Sequence, residues 1–395
     1  MIETLLKQDA YVVNKYRSRK SIERDVYTQF DSLSKIVGIV WLRWVGKTSY
    51  LLSRRIKNPK SLYISCDSLD IKKESLFSLV DELQKNYGFD TFFLDEIHWS
   101  ENWQQSLKNI YDFLDVKVVF SGSNMINITQ WWYDLSRRII KHELKEFSFQ
   151  EYVLLIKGIK IENYSFEEIL ANHIDIARTN ISWYSKKILE DYFKFGQFGY
   201  YYEDIGNEIE YKMKMENALK KSIFEDLSDF VDISTNNLSK IEDIMFYIAN
   251  AGTSDLSIHA ISKNVLLSPQ TVEIYMDFLK SIWLVNIIPY FWKISERLKK
   301  NKKFYVANTN ILSLFGSYTG NIRETFFVSQ MKRLWKELSF LSHTDFVVTV
   351  WGKNMFFEVG GKNKVRKDTQ TFVIKDDIEM WKWHEIPLWI LGLAK

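Results

Sequence analysis

The stretch that most constrains the fold of this chain is residues 35–52, KIVGIVWLRWVGKTSYLL. Its apolar run at residues 36–40 is typical of a buried strand, and residues 49–52 can begin a helix. A Gly-Lys-Thr triplet lies between these segments at residues 46–48. A strand, a Gly-Lys-Thr loop and a helix in this order predict a P-loop, whose backbone N–H groups bind a polyphosphate.

The loop carries the predicted nucleotide-binding residues, which are Trp41, Val45, Gly46, Lys47, Thr48 and Ser49. Lys47 is expected to reach the β- and γ-phosphates of ATP, and the Thr48 hydroxyl is expected to hold Mg²⁺. Trp41 departs from the pattern G-x-x-x-x-G-K-[ST], which has glycine at this position. Its ring would crowd the loop mouth, and its Cβ disfavours the positive φ that glycine permits. Either the site is degenerate, or Trp41 is not the residue that the cell makes.

Short apolar strands alternate with amphipathic helices from residue 61 to residue 144, which predicts an α/β fold with a parallel sheet and helices on both faces. The strand at residues 91–96 ends in Asp95-Glu96, as a Walker B motif does. Asp95 is expected to bind Mg²⁺, and Glu96 is expected to polarise the attacking water. A buried strand that ends in a solvated acidic turn is the structural alternative. Because one strand separates the two motifs, we expect an NTPase of the additional-strand class, in which an extra strand lies between the two sites.

Two further groups are candidates for the catalytic machinery. Ser123 and Asn124 follow the fourth predicted strand, where small polar residues contact the γ-phosphate or the attacking water; a plain strand-to-loop exit explains them equally well. Arg137 and Arg138 could neutralise charge on a phosphoryl group, often across a subunit boundary in a homo-oligomer. A surface arginine pair is the alternative for them.

Length and composition describe an ordinary globular protein of two to three domains, since 395 residues are too many for one core. The single Cys66 excludes a disulfide framework and suits a reducing cytoplasm. The N-terminus is not a signal peptide, and the longest apolar run is too short to span a bilayer, so a cytoplasmic location without a membrane partner is expected. The basic stretch from Arg17 to Arg24 is more typical of a solvated helix face than of a nucleic-acid contact.

Residues 240–290 predict a winged helix, with Ser268 as N-cap and Pro269 in the first turn of its third helix. The outer face of that helix is not basic, which weakens DNA reading by it. The basic stretch Lys293–Lys303 could contact DNA phosphates across a wing, and a solvated hairpin is the alternative.

Several segments resemble one protein family when they are read in order: WVGKTSYLL, FFLDEIHWSENW, VVFSGSN, DLSRRIIKHEL, FSFQEY, FKFGQFGYYYE, KKFYVANTNIL, GNIRETFFVSQ and FFEVGGKNKVRK. They are similar to bacterial and archaeal AAA-type ATPases with a C-terminal domain of restriction-endonuclease-like fold. The resemblance implies ATP binding and hydrolysis by a AAA-like core, followed by a winged helix and a nuclease-like module. The expected segments are a helical N-terminus (1–34), the core (35–145), a helical lid (146–235), the winged helix (236–300) and the nuclease-like domain (301–395).

The last segment carries three acids with nuclease-like spacing, Glu324, Asp345 and Glu358, which form a candidate second metal site. Nuclease-like sites of this kind place a lysine two residues after the last acid, and Gly360 stands there. Lys362 would share the strand face only if the strand continued through residues 360 and 361. A retained fold with lost or altered cleavage is therefore at least as well supported as an active nuclease.

The tryptophans form an unusual pattern, since the chain has 14 Trp and 15 Gly, where average usage gives roughly 28 glycines. Several of them, Trp41, Trp283, Trp351, Trp381 and Trp383, stand where glycine is expected. We hypothesise that the source genome reads UGA as glycine and that these positions were translated as tryptophan. Trp103, by contrast, matches a Trp in the resembling family. Drift in an inactive paralogue is the alternative.

The leading function from sequence is that of a Mg-dependent ATPase of AAA type with DNA as a candidate substrate. The alternative is a DNA-binding or scaffold protein that has a degenerate nucleotide site and hydrolyses nothing. Nucleotide affinity separates the two.

Overall fold

The computed structural model describes residues 1–19, 22–31, 33–122, 135, 137–203, 207–228, 235–251, 256–291, 302–316, 319–365, 371–378 and 384–395. The chain divides into two compact units, one formed by residues 1–146 and 220–231 and the other by residues 147–219 and 232–395. The five segments expected from the sequence do not follow this division, and they stay a prediction. None of the described helices is long and apolar enough to cross a membrane.

The first unit contains the strands β1 (Ile36–Val40), β2 (Ser61–Ser65), β3 (Thr91–Asp95), β4 (Lys117–Gly122) and β5 (Ile139–Glu143). They pair in the order β2-β3-β4-β1-β5, and every pair is parallel. This confirms the predicted α/β class with its parallel sheet. β4 lies between β1, which leads into the P-loop, and β3, which ends in Asp95. The extra strand expected between the two motifs is therefore present.

Helices along the first unit are α1 (Ile2–Arg17), α2 (Val26–Phe30), α3 (Lys47–Arg55), α4 (Leu69–Lys72), α5 (Leu76–Tyr87) and α6 (Trp103–Phe113). α3 starts directly after the P-loop, as the sequence predicts. The apolar face expected for residues 72–86 is the buried face of α5. This helix begins later than expected because the Ser75 side chain accepts the N–H of Ser78 and caps it.

The Asp9 carboxylate on α1 links this helix to the sheet by hydrogen bonds. Its carboxylate accepts two hydrogen bonds from the Arg55 guanidinium, at 2.9 and 2.7 Å, and one from the Tyr63 backbone N–H at 2.9 Å. Arg55 is the last residue of α3, and Tyr63 lies in β2. A single buried carboxylate thus joins the N-terminal helix, the P-loop helix and an outer strand.

The second unit is largely helical before its C-terminal sheet. Its helices span Phe149–Lys157, Phe166–Asn180, Lys186–Phe195, Tyr200–Glu203, Thr235–Asn250, Ile258–Val265, Pro269–Ser281, Thr309–Leu314 and Thr319–Arg333, and Glu208–Ser228 contributes residues to both units. An antiparallel hairpin of β6 (Val285–Ile288) and β7 (Lys303–Val306) follows residue 281. Ser268 accepts the N–H of Thr271, and Pro269 occupies the first turn, which confirms the predicted helix start. Most of the basic stretch Lys293–Lys303 lies outside the described residues.

Asn310 organises the polar interior of the second unit. It is fully buried and donates to the carbonyls of Tyr192 (2.8 Å) and Phe193 (2.9 Å). Its side-chain oxygen accepts the backbone N–H of Gln197 at 2.8 Å and the Tyr211 hydroxyl at 3.0 Å. Every hydrogen-bonding atom of this amide therefore has a partner among residues far away in sequence.

The C-terminal sheet contains β8 (Leu338–Leu341), β9 (Thr344–Val350), β10 (Lys353–Gly360), β11 (Thr371–Lys375) and β12 (Glu385–Pro387), in the order β12-β11-β10-β9-β8. β8, β9 and β10 pair antiparallel, and β11 and β12 continue parallel to β10. Glu324 lies on a helix and Glu358 in β10, as predicted, whereas Asp345 lies inside β9 and not just before it.

Candidate nucleotide-binding site

The predicted phosphate-binding loop runs from the end of β1 to the start of α3. Gly46 is the N-cap of α3 and has φ 98°, in the left-handed region that favours glycine. Arg24 supports the loop from behind, donating to the carbonyl of Val45 at 2.9 Å and to those of Lys145 and Glu146 at 2.9 and 3.0 Å. Arg24 is buried, so the interpretation of this residue as part of a solvated helix face is wrong.

Lys47 is the first residue of α3, and its side chain reaches back into the loop. Its ammonium donates to the backbone carbonyls of Trp41 and Leu42, both at 2.9 Å, and the side chain is almost fully buried. These carbonyls hold the cation at the mouth of the loop, where phosphate oxygens would compete for it.

Asp95 is the centre of a hydrogen-bond network that joins three strands and α3. The hydroxyls of Thr48 and Tyr63 each donate to its Oδ2 at 2.7 Å, and the Ser121 hydroxyl donates to its Oδ1. Burial, and then the charge of Glu96, raise the pKa of Asp95, and the three hydrogen bonds oppose that rise. The network therefore brings the Gly-Lys-Thr loop and the Walker B strand into direct contact.

Glu96 follows Asp95 in a left-handed turn with φ 52°. Its backbone N–H donates to the Ser121 hydroxyl at 3.0 Å, so one serine orients both acidic residues of the motif. The carboxylate is about three-quarters buried and lies 3.4 Å from His98 Nδ1. The turn is the kind of strained position that recurs at functional sites.

Sequence reasoning missed Arg24 and Tyr63 as parts of this site, and it did not connect Ser121, at the end of the fourth predicted strand, with Asp95. Tyr63 lies two residues before Ser65, the β2 residue that pairs with Asp95. Because side chains alternate along a strand, Tyr63 projects from the same face of β2 as Ser65. Burial, and then the charge of Asp95, raise the pKa of Tyr63 far above its usual value. Its hydroxyl is therefore a proton donor at neutral pH.

The two predicted catalytic arginines contact other parts of the first unit or solvent. Arg138 donates to both carboxylate oxygens of Asp112, at 3.1 and 3.2 Å, and stacks over the Tyr111 ring. Arg137 is exposed. The other two predictions, Ser123 and Asn124, lie outside the described residues.

In the C-terminal sheet, Asp345 and Glu358 converge on Lys364. The lysine Nζ lies 2.9 Å from Asp345 Oδ2 and 2.8 Å from Glu358 Oε2, and Glu358 is fully buried. Burial alone would lower the pKa of Lys364, but its hydrogen bonds to the two carboxylates outweigh burial and raise it. Asp345 also accepts the N–H of Val359 at 2.9 Å.

Gly360 makes room for this lysine. A Cβ at Gly360 would lie 2.9 Å from Cβ of Lys364, so the lysine stem crosses the strand where a side chain would otherwise stand. β10 ends at Gly360, and Lys362 is exposed beyond it, so the condition for Lys362 to share the strand face is not met. The nuclease-like pattern places a lysine two residues after Glu358. In this chain the lysine beside Glu358 is Lys364, which lies in the loop after β10.

Glu324 accepts the Tyr305 hydroxyl at 2.7 Å. Over the part of the chain that the structure describes, no group of three or more His, Cys, Asp or Glu is arranged to hold a metal ion. The predicted triad of Glu324, Asp345 and Glu358 is thus not assembled, and a lysine joins two of its members instead.

Residues 33–153 match the protein family described as an AAA domain. The match supports an AAA-type P-loop domain in this part of the chain, and it includes every loop and Walker B residue above. A second match, over residues 186–319, is to a domain of unknown function, DUF8612. Neither match supports a restriction-endonuclease-like C-terminal domain, which rests on the resemblance alone.

Two relatives are similar over most of the chain. An uncharacterized protein of Methanocaldococcus jannaschii is 25% identical over 296 residues, 71% of this chain and 62% of the relative. An uncharacterized protein of Haemophilus influenzae is 22% identical over 316 residues, 74% of this chain and 73% of the relative. The chain thus spans less than two thirds of the Methanocaldococcus protein.

Among solved structures, AMPPCP-bound DnaA from Aquifex aeolicus gives a TM-score of 0.26 at 14% identity, covering 68% of this chain and 86% of that one. A katanin structure gives a TM-score of 0.27 at 19% identity, covering 53% of this chain and 80% of that one. TM-scores of this size carry no argument about the fold or the ligand.

Proposed function

We propose that this chain binds Mg·ATP and hydrolyses it with its AAA-type core. The observation that carries the proposal is the 2.7 Å hydrogen bond from the Thr48 hydroxyl to Asp95. It places the two residue types that P-loop NTPases use for Mg²⁺ side by side, at the carboxyl edge of a parallel sheet, where such sheets bind ligands.

The donor set fits magnesium. Thr48 offers a hydroxyl oxygen and Asp95 a carboxylate, and both are hard oxygen ligands. Mg²⁺ bound there would neutralise charge on the phosphates and orient them. Tyr63 and Ser121 hold the carboxylate of Asp95 in place without being ligands themselves.

The other residues take roles that follow from their positions. Lys47 exchanges its two carbonyl partners for phosphate oxygens, because a charged acceptor is stronger than a neutral one. Glu96, beside Asp95 and partly exposed, accepts a proton from the attacking water as general base. Arg137, exposed on the surface, is the better of the two arginines for a contribution to a neighbouring subunit, because Arg138 is engaged by Asp112.

Three substitutions test this assignment. In a Trp41→Gly background, Lys47→Ala should remove Mg·ATP binding measured by calorimetry, and Glu96→Gln should retain binding while slowing hydrolysis at least 100-fold, a general base being worth about 10²–10⁴. Lys57→Ala is the matched control, since this exposed lysine lies just past α3 and its ammonium pairs with the half-exposed Glu23. ATP affinity that survives Lys47→Ala would contradict the proposal and favour the scaffold alternative.

The buried acid pair of the second unit supports a second candidate function, metal-dependent cleavage of a phosphodiester, with DNA as the candidate substrate. The observation in its favour is the cluster of Asp345, Glu358 and Lys364, which combines two carboxylates with the lysine that sites of this kind use. Nicking of plasmid DNA that depends on Mn²⁺ and is lost in Glu358→Gln would support it. The absence of Mn²⁺-dependent nicking by the intact chain would reject it.

A further inference from the structure

The tryptophans of this chain fall into two classes by backbone conformation. Among the described residues, nine non-glycine residues have positive φ, and five of the nine are Trp41, Trp44, Trp283, Trp335 and Trp351. Tryptophan makes up only 14 of the 395 residues. Positive φ is typical of glycine and, less often, of Asn and Asp; for a bulky residue it is a genuine outlier. Chance placement does not account for this concentration.

Two of the five tryptophans stand just after the C-terminus of a helix, at the position where glycine is most favoured. After the helix Pro269–Ser281, the N–H of Leu284 bonds to the carbonyl of Leu279 at 2.8 Å, and Trp283 stands between with φ 58°. After the helix Thr319–Arg333, Lys336 bonds to Met331 at 3.0 Å, and Trp335 has φ 56°. A bond of this span around one left-handed residue is the Schellman motif, whose left-handed position is usually glycine.

A third lies in the hairpin between β9 and β10. Val350 pairs with Lys353, so the turn consists of Trp351 and Gly352 alone, with φ 50° and 72°. A two-residue turn with both central residues at positive φ is type I′, which favours Asn-Gly, Asp-Gly or Gly-Gly. The Trp351 side chain is 64% exposed, so the ring is not placed there to fill a core.

The last two lie in the phosphate-binding loop. Trp41, with φ 151°, occupies the first glycine of the P-loop pattern, and Trp44, with φ 65°, precedes Val45 in the same loop. The carbonyl of Trp41 also accepts the Lys47 ammonium, so its backbone belongs to the site itself.

The other described tryptophans behave differently. Trp103 is 4% exposed and packs on Phe120, and Trp389 is 1% exposed and stacks on Tyr184 at 4.3 Å. Trp183 donates its indole N–H to Asn180 at 3.0 Å, and the Trp99 ring lies 4.1 Å from the Lys72 ammonium. None of the four has positive φ. Each of these four side chains thus makes a packing, stacking, hydrogen-bond or cation contact through its ring.

We propose that residues 41, 44, 283, 335 and 351 are glycine in the natural protein, because the source cell reads UGA as glycine. The four packed tryptophans are then encoded by UGG. Drift in an inactive paralogue does not produce this division, since random substitution would not sort one residue type by backbone φ. The proposal restores glycine to the phosphate-binding loop and does not depend on whether the chain hydrolyses ATP.

The first test reads the gene and the protein from the source cell. We expect UGA at the five positions and UGG at residues 99, 103, 183 and 389, and tryptic peptides of the native protein should carry the mass of glycine at residues 283, 335 and 351. UGG codons at the five positions, or peptides with the mass of tryptophan, overturn the proposal.

The second test compares the chain as printed with a variant that carries all five Trp→Gly substitutions. Relief of left-handed strain at residues 283, 335 and 351 should raise the melting temperature of the second unit by on the order of 5 °C. Trp389→Gly, the matched control in the same unit, should lower it by roughly 10 °C because it empties a core position. Equal loss of stability in the five-glycine variant and in the control contradicts the proposal.

A nucleotide readout separates this inference from the proposed function. With Trp41→Gly and Trp44→Gly, Mg·ATP should bind at least 100-fold more tightly than to the printed chain. If the codons are UGA and the glycine variant still binds no ATP, the recoding stands and the ATPase assignment falls.

Discussion

Removing the Asp9 carboxylate should destabilise the first unit strongly, although Asp9 lies on the N-terminal helix and outside the predicted site. In Asp9→Ala, the Arg55 guanidinium, 17% exposed, loses its carboxylate partner, and the Tyr63 N–H loses its acceptor. Breaking a buried pair from one side typically costs about 3–5 kcal/mol. Partial exposure of Arg55 places the cost near the lower end. The lost bond to Tyr63 belongs to the same network and does not simply add.

We therefore expect a loss of about 3–4 kcal/mol. For a unit of this size, that corresponds to a fall in melting temperature of roughly 6–16 °C. Differential scanning calorimetry measures it, with Glu3→Ala as the control. Glu3 pairs with Lys7 at 2.7 Å on the same helix, but the two side chains are 81% and 75% exposed, so its loss should change stability by less than about 1 kcal/mol.

The double variant Asp9→Ala/Arg55→Ala identifies the cause. If most of the lost stability comes from leaving the Arg55 guanidinium without a carboxylate, removing Arg55 as well should recover part of it. The reasoning is refuted if Asp9→Ala melts within about 2 °C of Glu3→Ala, a shift that corresponds to under 1 kcal/mol.

Three further predictions concern both units. Tyr63→Phe removes one donor from Asp95 and should raise the pKa of that carboxyl, because the Tyr63 hydrogen bond lowers it, so the acidic limb of ATPase activity should move to higher pH; coincident pH profiles would contradict this. Asn310→Ala should lower the free energy of unfolding in urea by about 2–4 kcal/mol because its buried partners lose their hydrogen bonds. A change under about 0.5 kcal/mol would refute the stabilising role of Asn310. Burial would raise the pKa of Asp345, but its hydrogen bonds from Lys364 and the Val359 N–H, together with the nearby lysine charges, outweigh burial and lower it. The Asp345–Lys364 ion pair therefore stabilises the fold at pH values above the ordinary pKa of aspartate, and this stability is lost as the pH falls through the lowered pKa. Lys364→Met should abolish this acid-dependent part in melting curves, and an unchanged pH dependence would count against the pair.

Local patterns predicted much of the fold. The strands of the first sheet begin and end within about one residue of their expected bounds, because buried parallel strands are continuous apolar runs. The cap at Ser268 and the turn at Trp351 were also readable, since each depends on two to four adjacent residues. Features that depend on so few adjacent residues can be predicted from the local sequence alone.

The parts that sequence reasoning missed depend on distant partners. Tyr63 and Asp95 are 32 residues apart, and Arg24 and Glu146 are 122 apart. Neither Tyr63 nor Arg24 stands in a motif, so only the assembled sheet reveals its role. Lys364 was missed for another reason: the expectation followed strand alternation, and the lysine comes from a loop and crosses over Gly360.

The position of β1 in the first sheet has a consequence for how the protein is made on the ribosome. β1 pairs with β4 on one side and β5 on the other, and Arg24 braces the loop after β1 against the carbonyls of Lys145 and Glu146. All of these partners are synthesised long after the loop itself. A nascent chain that has not yet exposed Glu146 therefore carries the complete phosphate-binding motif without the backing that shapes it. Competence to bind nucleotide should thus arise abruptly, when the last strand of the sheet leaves the exit tunnel, rather than when the motif does.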